Sequence, residues 1–186
     1  MKMIQPIRTI KRCLHLCSIT LLLLPLTAMP SYAKEKNALD ITITVPTIDA
    51  SPYHRPFVAV WLEDTNRKPI RTLAVWYDDE TWLKDMRQWW RKLGRKLHNA
   101  QSLDGLSGAT QKPGTYSLQW DGKDNKGKTI KLDELLLNIE MVREEGDRTY
   151  IRQSITFTQD TAGSTITIPA DGEIGQTTIQ LPKTFN

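Results

Sequence analysis

The sequence predicts a mainly β protein, a β-sandwich with one inserted amphipathic helix. Three observations carry this. Short stretches of alternating apolar and polar residues recur along the chain, and turn-forming clusters separate them. A single stretch near the middle has helical spacing instead. The first alternation is Leu39-Asp40-Ile41-Thr42-Ile43-Thr44-Val45, the period of a half-buried strand. Phe57-Val58-Ala59-Val60-Trp61-Leu62 is a nearly continuous apolar strand, and Asn66-Arg67-Lys68-Pro69 turns it back into a hairpin partner over 70–77.

Asp78-Asp79-Glu80 opens the helix, because acids in a first turn suit the positive end of the helix dipole. The helix is predicted over about 79–98. Trp82, Met86, Trp89, Leu93 and Leu97 form one stripe, with spacings of 4, 3, 4 and 4, and Trp82, Met86 and Trp89 are assigned to the core. Lys84, Arg87, Arg91, Lys92, Arg95 and Lys96 make up the opposite, solvated face. Beyond it, a strand over 115–120 leads into the dense turn Asp121-Gly122-Lys123-Asp124-Asn125-Lys126-Gly127. Strands over 134–143 and 149–158 flank Glu144-Glu145-Gly146-Asp147 as a hairpin, and 165–168 and 177–181 complete the set. Seven or eight short strands at near-regular spacing make a sandwich.

The N-terminus has the pattern of a secretory signal: Lys2, Arg8, Lys11 and Arg12 without an acid, then an apolar run centred on Leu21-Leu22-Leu23-Leu24, then Ser31-Tyr32-Ala33. Cleavage is expected after Ala33. That leaves 34–186 as one exported, periplasmic domain that is not embedded in the membrane, with 34–37 a disordered lead-in. The removed segment takes four of the 25 basic residues and none of the 21 acids, so the remainder carries 21 of each. The sequence pI of about 9.1 therefore describes the signal rather than a binding surface. Nucleic acid is excluded as a partner on the same grounds of export and charge balance. Cys13 and Cys17 leave too, which excludes disulfides, thiolate metal sites and cysteine nucleophiles. With only His54 and His98 left, a histidine-rich metal site is not expected.

Pro113-Gly114-Thr115-Tyr116-Ser117-Leu118-Gln119-Trp120-Asp121-Gly122-Lys123-Asp124-Asn125-Lys126-Gly127 resembles the strand-turn signature of Ig-like domains of the flagellar hook-cap type. The wider pattern adds the signal, the tryptophan-rich helix and Ser107-Gly108-Ala109-Thr110. It is similar to the DUF2271 family of predicted periplasmic proteins over essentially the whole exported chain. Asp121, Asp124 and Asn125 are oxygen donors, but they lack the alternating ligands and distal glutamate of a calcium loop. They are read as turn formers.

Asp104-Gly105-Leu106-Ser107-Gly108-Ala109-Thr110 resembles the acceptor motif of bacterial flavin transferases, which attach FMN through its phosphate to the threonine hydroxyl. The chemistry asks for an exposed acceptor on a loop, here Thr110, preceded by small residues that let another enzyme approach, here Gly108 and Ala109. The resemblance makes Asp104 and Ser107 docking and orienting groups. Trp90, slightly off the apolar stripe, can stack on the flavin ring, and Arg91 can meet its phosphate or a reduced anion. A hydrolase triad of Ser107, His98 and Asp104 lacks any nucleophile-elbow context. The expectation is a non-catalytic electron carrier with covalent FMN. A flavin transferase would mature it, and it would exchange electrons between a membrane redox protein and a periplasmic acceptor. The alternative is a cofactor-free adaptor whose loop and basic helix contact a partner protein.

Overall fold

The computed structural model describes residues 38–99, 103 and 105–185; the predicted signal, the lead-in over 34–37 and Asp104 lie outside them. Among the described residues the chain forms two β-sheets, one irregular helical segment and a short 3₁₀ turn over Gln159–Thr161. The strands are β1 (Leu39–Val45), β2 (Phe57–Glu63), β3 (Pro69–Trp76), β4 (Ser107–Gly108) and β5 (Gly114–Trp120). They continue as β6 (Glu134–Val142), β7 (Arg148–Thr156), β8 (Thr165–Ile168) and β9 (Thr177–Gln180). One sheet has the order β5-β1-β9-β8 and the other β4-β3-β2-β6-β7. All neighbours are antiparallel except the β3/β4 pair.

Alternation decides which side chains meet between the sheets. Leu39, Ile41, Ile43 and Val45 of β1 and Leu135, Leu137, Ile139 and Met141 of β6 join Val58, Val60 and Leu62 of β2 in the main core. The intervening β2 residues, Phe57, Ala59 and Trp61, are buried on the other face, beneath the helical segment. Strand β2 is thus covered on both sides, which is why its sequence is continuously apolar from Phe57 to Leu62 rather than alternating. The register of β2 against β3 slips between Val60 and Trp61 and again between Leu62 and Glu63. These bulges place Thr72 opposite Trp61, on the helix side.

Both predicted hairpin turns form. Arg67 at φ 63° closes β2–β3 and Glu145 at φ 54° closes β6–β7. The glycine-rich turn after β5 uses its acids on its own backbone. Asp124 Oδ1 accepts from the Lys126 and Lys128 amides at 2.8 and 2.9 Å, and Asp121 Oδ1 accepts from the Lys123 amide at 3.0 Å. Those amide hydrogen bonds hold the Asp124 carboxyl below its usual pKa. Gly122 (φ 81°) and Gly127 (φ 78°) supply conformations that a side chain would strain.

The helix departs from the predicted single rod. A 3₁₀ turn (Glu80–Asp85) starts at Asp79, whose Oδ1 accepts from the Thr81 amide at 2.7 Å. Met86, at φ −73° and ψ 69°, breaks it from a second run made of Arg87–Trp89, a π-type turn over Trp90–Gly94, and Arg95–Asn99. The tighter 3₁₀ turn brings residues three apart onto one face. Leu83 and Met86, three apart, are therefore both 0% exposed, as is Trp89 in the run beyond the break, whereas Trp82, assigned to the core from α-helical spacing, is 37% exposed. Trp82 instead stacks on Phe57, ring centres 6.5 Å apart.

Candidate functional site

The heptad that resembles a flavin acceptor begins beside a buried anchor. Leu103, 6% exposed, belongs to the apolar cluster under the helix, together with Val75. Its carbonyl accepts from the amides of Leu106 and Ser107, both at 3.0 Å, and Gly105 turns the chain at φ 76°. Ser107 and Gly108 then run parallel to β3, opposite Val75 and Trp76. The Val75 amide donates to the Leu106 carbonyl at 2.9 Å and the Tyr77 amide donates to the Gly108 carbonyl at 3.0 Å. Gly108 lies against an indole: a Cβ there would sit 3.3 Å from Trp76 Cδ1.

This pairing corrects the expectation of an exposed acceptor. Strand alternation leaves Ser107 and Ala109 exposed and turns Gly108 and Thr110 inward. Thr110 is only 9% exposed. Ser107, Gly108, Ala109 and Thr110 lie together at the rim of the five-stranded sheet, and Asp104 lies outside the described residues.

Trp90 and Arg91 do not join them. Trp90 is half-buried, with ring centres 6.4 Å from Trp89 and 5.7 Å from His98, while exposed Arg91 donates to the Gln88 side chain. Among the described contacts none links either residue to Thr110. Arg91→Ala is expected to change stability by no more than about half a kcal/mol, as exposed sites usually do, in a urea melt.

A second constellation lies on the outer face of the same sheet. Glu63, Asn138 and Glu140 are each 0% exposed. Glu140 accepts from the Gln88 amide at 3.0 and 3.1 Å, the Trp89 amide at 2.9 Å and Arg148 Nε at 2.7 Å. Glu63 Oε1 takes Trp61 Nε1 at 3.0 Å and Lys92 Nζ at 3.1 Å. Lys92 also donates to the Arg67 carbonyl at 2.6 Å, so it leaves the solvated face to which its spacing assigned it. Asn138 Oδ1 accepts from the Tyr150 hydroxyl at 2.7 Å and from Arg152 Nε at 3.0 Å. Burial pushes the Tyr150 hydroxyl pKa up, with the Arg152 charge opposing it. Glu63 Oε2 has Arg152 Nη2 at 3.8 Å and no hydrogen bond. Most donors and acceptors here satisfy one another, so the network fastens the helical segment to the sheet.

A family model described as "Predicted periplasmic protein (DUF2271)" matches residues 38–176. The chain belongs to DUF2271. No curated protein and no solved structure matches it. The DUF2271 match spans β1 to the end of the β8–β9 connection, including the heptad and the helical segment, and assigns the protein to the periplasm. Among the described residues no helix is long and apolar enough to cross a membrane.

Sequence reasoning on this DUF2271 protein missed the buried polar network, although a signal was present. Asn138 and Glu140 interrupt an otherwise apolar strand at alternate positions, and Arg148, Tyr150 and Arg152 repeat at the same spacing on its neighbour. Polar residues at matching positions on paired strands face one another.

Proposed function

We propose that the protein is a periplasmic electron carrier bearing FMN on Thr110. The observation that carries this reading is the placement of the acceptor-type heptad. Its Ser107 and Gly108 form a two-residue strand at the rim of a sheet, with Ser107 and Ala109 exposed on either side of Gly108. The residues fit a phosphoester in chemistry: Thr110 offers a hydroxyl, and small side chains precede it. They do not offer that hydroxyl in the resting arrangement, where Thr110 is 9% exposed.

Formation of the ester from flavin adenine dinucleotide joins Thr110 Oγ1 to the FMN phosphorus. The bond from that phosphorus to AMP breaks, and AMP departs with the hydroxyl proton. Once attached, FMN supplies reversible electron transfer that the side chains of this chain do not offer. Within the chain, Leu103 and β3 locate the acceptor segment. At Gly108 the absence of a side chain keeps clear of Trp76, whose Cδ1 would lie 3.3 Å from a Cβ there.

The test is intact mass after co-production with a flavin transferase. The exported chain should gain the mass of FMN less one water and turn yellow. Thr110→Ala should abolish both changes and leave the melting curve near wild type. A colourless, unmodified wild type would sink the carrier reading. The adaptor reading would then stand, supported by exposed Trp82 beside the exposed cations Lys84 and Arg87.

A further inference from the structure

We propose that β4 is a detachable edge strand, and that Thr110 is presented for modification only when its pairing with β3 opens. The inference rests on the reading of Thr110 as the flavin acceptor and goes beyond it to what controls that site. A transferase must surround the acceptor hydroxyl and bring it in line with a phosphorus atom. A threonine 9% exposed within a folded sheet cannot be surrounded in that way.

What has to open is small and well defined. Strand β4 is two residues long and ends its sheet. Beside its two-residue ladder with Val75 and Trp76, it is held by the Val75-to-Leu106 and Tyr77-to-Gly108 hydrogen bonds, and its start is held by the Leu103 carbonyl and the buried Leu103 side chain. Segments with so few ladder bonds sit at the low end of local opening free energies, well below global unfolding. The alternation that buries Thr110 exists only while Ser107 and Gly108 are paired, so release of the pair also frees Thr110 from its inward position.

The same geometry acts after transfer. A phosphoester on Thr110 Oγ1 cannot return to a site that leaves a threonine 9% exposed. The modified segment therefore stays off β3, and the Val75 and Tyr77 amides lose their acceptors.

The experiment uses the full exported chain with a flavin transferase and flavin adenine dinucleotide, followed by intact mass over time. Leu103→Ala removes the anchor, and Tyr77→Pro removes one ladder donor at the end of β3; both lie outside the acceptor heptad. Each variant should be modified about tenfold faster than wild type, the factor expected for about 1.4 kcal/mol taken off the opening cost. Hydrogen exchange at the Val75 and Tyr77 amides, the latter read in wild type, should accelerate once the chain is modified. If Leu103→Ala fails to fold, Tyr77→Pro and the exchange measurement carry the test. Wild-type rates in folded variants, or unchanged protection after modification, would overturn the detachable strand while leaving Thr110 as acceptor. Absence of any mass gain in every variant would instead remove the acceptor reading, and this inference with it.

Discussion

Trp89→Ala is expected to destabilise the protein by about 3–5 kcal/mol, the range for truncating a large buried aromatic. The indole is 0% exposed and sits at the centre of the cluster between the helical segment and the outer faces of β2 and β3. Its ring lies over Gly94 so closely that a Cβ there would be 2.5 Å from Trp89 Cζ3, so no neighbour can collapse inward without moving the helix. Its Nε1 also donates to Thr72 Oγ1 at 3.4 Å, a hydroxyl that is itself 0% exposed. Truncation thus opens a cavity and removes a polar partner at the same point. Urea unfolding followed by circular dichroism measures the change. A loss below about 1 kcal/mol, the level of a typical substitution, would mean that the helical segment is not part of the cooperative core.

The strands were legible because each rests on a local pattern. Alternation marked β1, and turn-forming clusters bounded both hairpins. The continuous apolar run of β2 reads correctly once a helix covers its second face. The irregular elements were not legible, because non-local contacts define them. Two residues, Ser107 and Gly108, carry no strand pattern of their own and become β4 only by pairing with Val75 and Trp76. That pairing is also what turns Thr110 inward, so the exposure of the acceptor could not be read from the heptad. Trp82 was misplaced for a related reason. Its spacing of four from Met86 belongs to an α-helix, and the chain there forms a 3₁₀ turn ending in a break at Met86. The carboxylate that receives the next helical run lies on β6, outside any local window.

Replacing that carboxylate should have an effect as large as losing Trp89. The run beginning at Arg87 has Met86 at its N-cap position and no side-chain cap hydrogen bond. The first amides of a helix lack partners within it, and a local serine, threonine or aspartate usually supplies one. Here Glu140 reaches across from β6 to accept from the Gln88 and Trp89 amides, placing negative charge at the positive end of the helix. The same carboxylate pairs with Arg148 at 2.7 Å, and its side chain is 0% exposed. Glu140→Ala is expected to cost about 3–5 kcal/mol, since it strands the Gln88 and Trp89 amides at about 1–3 kcal/mol each and unpairs the partly exposed Arg148. Glu140→Gln keeps an acceptor oxygen and loses the charge, so it should cost less, about 1.5–3 kcal/mol, the range for hydrogen bonds to charged groups. A measurable loss in the Gln variant separates the charged cap from simple packing, because glutamine fills the space as glutamate does. Equal losses for the two variants in urea melts would show that charge, rather than an acceptor for the helix amides, is what Glu140 contributes. Near-wild-type melts for both would mean that the helical segment docks through its apolar face alone.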